Sequence, residues 1–146
     1  MELNELYSQI IKDHNLSQHN KHELKDANVI MPGRNPSCGD EIKLFLKLED
    51  GKIKNASYTG IGCAISQASV SIMLDLINGK TLSEANDLCE LFLKMIRRSP
   101  LTPEEEHKLE EAAAFANISS MPARVKCAAM PWHTLKAALE ASGTEY

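Results

Sequence analysis

The chain has 146 residues, of which 43% are hydrophobic and 25% charged, with a formal net charge of −4. That is enough to bury one core without disulfide staples, in the proportions of an ordinary globular domain. The acidic balance and an aromatic content of only 5% argue against a basic, base-stacking nucleic-acid binder, and no apolar run approaches a membrane span.

Residues 2–13 carry Leu3, Leu6, Tyr7, Ile10 and Ile11, an apolar stripe at helical spacing. Residues 15–25 are polar and read as irregular. Residues 27–31 read as a short strand, punctuated by Pro32-Gly-Arg-Asn-Pro36. Ile42, Leu44, Leu46 and Leu48 alternate strictly, as in a strand with one buried face. Asp50-Gly51 is a hairpin signal, and Ile53, Ala56, Tyr58 and Ile61 fall on the return strand.

From Ala64 the period changes. Ile65, Ala68, Ile72, Met73 and Leu76 share one helical face, closed by Asn78-Gly79. Thr81-Leu-Ser-Glu84 is a capping box opening a helix to about Arg97. Thr102-Pro-Glu-Glu105 repeats the signal with proline at the first helical position. The last helix is expected from Cys127 or Ala128 to about Ala141, with Pro131 in its first turn, where a missing N–H costs little. No repeat or linker divides the chain, so residues 1–146 read as one α+β domain, a small antiparallel sheet followed by helices.

The start of the chain is polar and unlike a signal peptide, so a cytoplasmic setting with reduced thiols is expected. Reduced cysteines point to metal binding or catalysis. Cys38 lies in Asn35-Pro-Ser-Cys-Gly-Asp40, Cys63 in Gly60-Ile-Gly-Cys-Ala64 and Cys127 in Arg124-Val-Lys-Cys-Ala128. Cys63 and Cys127 fall at expected helix starts, where the dipole and free N–H groups favour a thiolate. Cys38 sits on a Pro36/Gly39 loop, and Asp40 adds an oxygen donor. Cys38, Asp40, Cys63 and Cys127 together make a four-coordinate zinc site. Its net charge of about −2 needs solvent, N–H groups or cations nearby, and Arg124 is one candidate. No C-x-x-C pair is present, so inert buried cysteines are the competing reading.

Other tempting residues read as structural. Cys89 falls on an apolar helical stripe beside Leu88, Phe92 and Leu93. His14 is assigned a structural role, His19, His22 and His107 a solvated one, and His133 a helix face away from Cys127. Ser66 and Ser69 read as small residues for close helix packing.

The three cysteine motifs in order, with Trp132 after the third and Asp13-His14 near the start, closely resemble the U-type iron–sulfur scaffold family. The resemblance implies a three-stranded sheet packed with helices. Within the family, members similar to IscU carry His immediately before the third cysteine, where this chain has Lys126. The longer stretch around residues 91–111 and the Arg-x-x-Cys pattern at Arg124 are similar to the zinc-binding SufU type. That likeness implies zinc on Cys38, Asp40, Cys63 and Cys127, with Cys38 as sulfur acceptor and Arg124 assisting. It also implies a SufS-type cysteine desulfurase as partner, with sulfur passed to downstream Fe–S assembly proteins. The alternative is a scaffold that builds an Fe–S cluster on the same ligands. The segment after Asp13-His14 lacks the usual Pro and Gly, and Pro131 and His133 flank Trp132 in place of commoner residues.

Overall fold

A computed structural model of the chain describes residues 3–142. Helix α1 (Leu3–Ser17) leads into strands β1 (Val29–Asn35), β2 (Asp40–Glu49) and β3 (Lys52–Ile61). Helices α2 (Ala64–Ile77), α3 (Leu82–Ile96) and α4 (Pro103–Leu109) follow. A 3₁₀ segment (Glu110–Ile118) then precedes α5 (Pro122–Ala141). The expected helix start at Glu2 lies outside the described residues, as do the side chains of Leu3 and Leu6. Tyr7 and Ile10 bury as the stripe requires.

The strands form one antiparallel sheet in the order β1-β2-β3. In β2, Ile42, Leu44 and Leu46 turn inward onto the helices. The β2–β3 hairpin closes at Asp50 and Gly51, both at positive φ (53° and 72°), which the Asp-Gly pair tolerates. β1 differs from expectation. It continues through Pro32-Gly-Arg-Asn35, pairing Val29 with Leu46 at one end and Asn35 with Asp40 at the other. Proline is accepted there because β1 is an edge strand, so one side needs no ladder donor.

Both capping boxes form, at Thr81/Glu84 and Thr102/Glu105. The last helix departs from expectation. It starts at Pro122, the proline that suits a first turn, and not at Cys127. Pro131 therefore lies inside α5 and withholds the N–H that would bond the Cys127 carbonyl.

α5 packs on β1, α2 and α3, while α1 covers α2. Trp132, fully buried, stacks on Phe92 with centroids 4.2 Å apart and planes 6° off parallel. Its Nε1 donates to Ser69 Oγ at 3.1 Å, and Ser69 Oγ donates to the Ala128 carbonyl at 2.6 Å. These bonds fix the rotation of α5 against α2, and so the direction in which Cys127 points. No helix among the described residues is long and apolar enough to cross a membrane.

Candidate metal centre

The β1–β2 turn presents the first cysteine. Asn35 and Asp40 pair across its base, and the Cys38 N–H donates to the Asn35 carbonyl at 3.2 Å. Cys38 is exposed at this turn, whereas Asp40, the first residue of β2, is fully buried. Asp40 Oδ1 accepts the Cys63 N–H at 2.9 Å, and Oδ2 accepts Asn35 Nδ2 at 3.2 Å. A buried carboxylate needs such donors. Gly62 makes the approach possible, because a Cβ there would stand 2.6 Å from Asp40 Oδ1.

Cys127 comes in from α5. Its Sγ lies 3.1 Å from Cys38 Sγ and accepts Asn35 Nδ2 at 3.6 Å. The ligand atoms of Cys38, Asp40 and Cys127 all lie within 4.8 Å of one another. Folding thus gathers donors from the β1–β2 turn, the start of β2 and the second turn of α5. Cys127 is not at a helix start, so the dipole argument made for it fails. Burial, and hydrogen bonding to the Cys38 and Cys63 thiols, instead push its pKa up and keep it a thiol when no cation is near.

Cys63 is where the sequence places it, at the N-cap of α2, with its side chain accepting the Ser66 N–H at 3.4 Å. Its thiol neighbours Cys127 but stands outside the 4.8 Å group formed by the other three donors. Arg124 is exposed on α5 and, among the described residues, makes no ion pair with a carboxylate. It stands near Tyr7, whose phenol pKa is raised by burial, lowered by Arg124 and raised by Cys63 and Cys127. The Tyr7 hydroxyl is buried without a partner.

Three residues at the centre were not given a site role by sequence reasoning, Ser66 having been read as a small packing residue. Asn35 bonds two of the donor residues at once, and its place at the head of the first cysteine motif was its only signal. Ser66 holds Cys63 and was legible as the N3 residue of a helix capped by cysteine. Tyr7 looked like any core aromatic. The other residues sort mainly as expected. Cys89 is fully buried, and desolvation pushes its pKa up to about 12. His14 is buried, bonding Ser71 Oγ at 2.8 Å and Glu111 at 3.3 Å, which ties α1 to α2 and the 3₁₀ segment. His19, expected to be solvated, pairs with Asp75 at 2.8 Å. Ser69 is more than a spacer, since its hydroxyl joins two helices.

The donor set fits a borderline-soft divalent cation. Two facing thiols with a held carboxylate, and a third thiol alongside, match the sulfur-rich tetrahedral preference of zinc, and equally the thiolate ligation of an iron–sulfur cluster. The Asn35 amide and Cys63 N–H are the outer bonds that orient such ligands.

Comparison with known proteins agrees. Over 135 residues the chain is 45% identical to the iron–sulfur cluster assembly scaffold protein IscU of Thermotoga maritima, covering 92% of this chain and 93% of that protein. Over 134 residues it is 35% identical to the zinc-dependent sulfurtransferase SufU of Bacillus subtilis, covering 92% and 89%. The crystal structure of an iron–sulfur cluster assembly scaffold protein of the SUF system from Fervidobacterium islandicum superposes with a TM-score of 0.86 at 34% identity, covering 92% of this chain and 96% of that one. The NifU-like N-terminal domain family matches residues 6–128, a span that holds all three motif cysteines and Asp40. The chain belongs to this NifU-like family of iron–sulfur cluster assembly proteins.

Proposed function

We propose that the protein is a zinc-dependent sulfurtransferase that accepts sulfur from the persulfide of a SufS-type cysteine desulfurase for iron–sulfur cluster biogenesis. The observation that carries the reading is the asymmetry of the facing thiols. Cys38 is exposed at a turn, while its neighbour Cys127 is buried in a helix 3.1 Å away. Only one of them can meet a partner's sulfur without unfolding the site.

Cys38, Asp40, Cys63 and Cys127 would hold the zinc. When bound, the metal would keep these thiols ionised at neutral pH and join three elements of the fold. The chemistry at Cys38 is a thiol–persulfide exchange. Its Sγ attacks the outer sulfur of the partner's persulfide, and the partner's S–S bond breaks. The desulfurase cysteine leaves as a thiolate, and Cys38 now carries the persulfide. No electrons are gained or lost overall. Asn35 and the Cys63 N–H hold Asp40 throughout, so the pocket keeps its shape while the turn moves. Exposed Ile61 offers an apolar contact beside the Cys63 helix start, and Arg124 a cation one helical turn before Cys127, for an acidic group of the desulfurase.

A second reading is a scaffold assembling an Fe–S cluster on the same four residues, and it is favoured by the name of the 45% identical relative. Lys126, directly before Cys127, weighs against it, because an ammonium is no ligand at neutral pH.

The test is mass spectrometry of the protein after reaction with a cysteine desulfurase and cysteine. The native chain should gain one sulfur on Cys38. The Cys38→Ser variant should still bind the desulfurase yet gain none. A persulfide found first on Cys63 or Cys127 would sink the mechanism. Anaerobic purification with metal analysis separates the second reading, for which iron, inorganic sulfide and visible absorption are expected in place of colourless zinc protein.

A further inference from the structure

Behind the thiols lies a second concave feature. A cavity of about 480 Å³ opens between β1, the end of α3 and α5. Its floor is apolar, built from Leu93, Ile96 and Met130. Its rim carries the cations Arg34, Arg97 and Lys126 beside His133, and no acidic side chain lines it. That is unexpected in a chain of net charge −4. Arg34 is engaged by Glu41 at 3.2 Å, but Arg97 and Lys126 make no ion pair among the described residues. Burial, more than the cations Lys136 and Arg97 alongside, pushes the His133 pKa down, so its imidazole is the neutral member of the rim.

We infer that this cavity is a docking site for an acidic segment of a partner polypeptide. An apolar side chain of the segment fills the floor, and a neighbouring carboxylate meets Arg97 and Lys126. Charge complementarity selects an anion, and the apolar lining selects a peptide over a phosphate chain, which would leave the more exposed Pro32, Val125 and Ala137 uncovered. The site reaches the thiols through one residue. Asn35 lines the cavity and bonds both Asp40 and Cys127, so a bound segment touches the wall that orients the metal ligands. The inference stands without the sulfur-transfer reading, because it uses none of the thiols.

The experiment is a titration of the ¹⁵N-labelled full chain with a capped hexapeptide of alternating leucine and aspartate, followed by amide spectra. Shifts are expected at Ile96, Val125, Lys126 and Ala129, and they should weaken as salt is raised. The leucine–asparagine hexapeptide should bind at least tenfold more weakly. Arg97 is exposed, so Arg97→Glu should keep the native spectrum and metal content while weakening the acidic peptide at least tenfold. Arg97→Gln should give a smaller loss in the same direction. Equal binding of the two peptides, binding unaffected by Arg97→Glu, shifts confined to another face, or no binding at millimolar peptide would each overturn the inference. So would a single-stranded oligonucleotide that shifts the same amides at lower concentration.

Discussion

Asn35 shows how much of the centre rests on a residue that is not itself a ligand. Its amide bonds the buried carboxylate of Asp40 and the sulfur of Cys127, so one side chain aligns donors from two elements. Outer bonds of this kind typically contribute about 10–100-fold to metal affinity. Asn35→Ala should therefore fold, retain the three cysteines and lose metal affinity by roughly tenfold or more. Competition with a chelator measures it, and an unchanged affinity would show that Asp40 and Cys127 orient themselves. Cys38 stands at the opposite extreme, held by a turn and open to solvent, as the proposed attack on a partner's persulfide requires.

Helices α2, α3 and α5 carry the packing that aims the centre. Ser69→Ala removes the hydroxyl between the Ala128 carbonyl and Trp132 Nε1, leaving the buried indole N–H unpaired and taking from the carbonyl its bond outside the helix. A loss of about 1–3 kcal/mol is expected in urea unfolding. A loss below about 0.5 kcal/mol would mean that water or a shift of α5 replaces the bonds. Cys89 on α3 gives a pH signature. Burial raises its folded pKa to about 12 from an ordinary 9.0, so the folded state holds a proton that the unfolded chain gives up first. Its contribution to stability is complete below the unfolded value and is lost as pH rises from there toward the folded one. In metal-free protein, stability should fall more steeply above pH 9 for the native chain than for Cys89→Ala, which itself loses some packing. Parallel slopes would refute the buried-thiol origin.

The molecule as a whole is a sheet and a helical layer joined where the metal donors meet. The β1–β2 turn, β2 and α5 each contribute to one point, so a bound ion acts as a cross-link between the halves. Removing the metal should lower the thermal midpoint by roughly 5–10 °C, from about 2.7 kcal/mol of linkage at a hundredfold excess over the dissociation constant. Calorimetry with and without chelator checks this, and coincident curves would show that the apolar core alone sets stability. The edge position of β1 matters at this level too. It leaves one side of the sheet beside the cationic cavity, so the thiol face and the charged face share a single strand.

Much of this was written locally in the chain. The Asp-Gly hairpin, the two capping boxes, the alternation of β2 and the helical faces of α2 and α3 depend on neighbours a few residues apart, so spacing alone reveals them. The cysteine motifs likewise named Cys38, Asp40, Cys63 and Cys127 as candidate donors, of which Cys38, Asp40 and Cys127 come within 4.8 Å of one another. Other features depended on partners distant in sequence. Pro32 stays in a strand because β1 lies at the sheet edge, and Pro131 stays inside α5 because Trp132, Phe92 and Ser69 hold that helix in place. Packing can outweigh a missing backbone bond, and no local rule reports packing. The same holds at the centre. Which thiol is exposed and which is buried, and that Cys127 lies in the second turn of a helix, were settled only when turn, strand and helices met. Burial and distance arise from the assembled chain and not from the order of its residues.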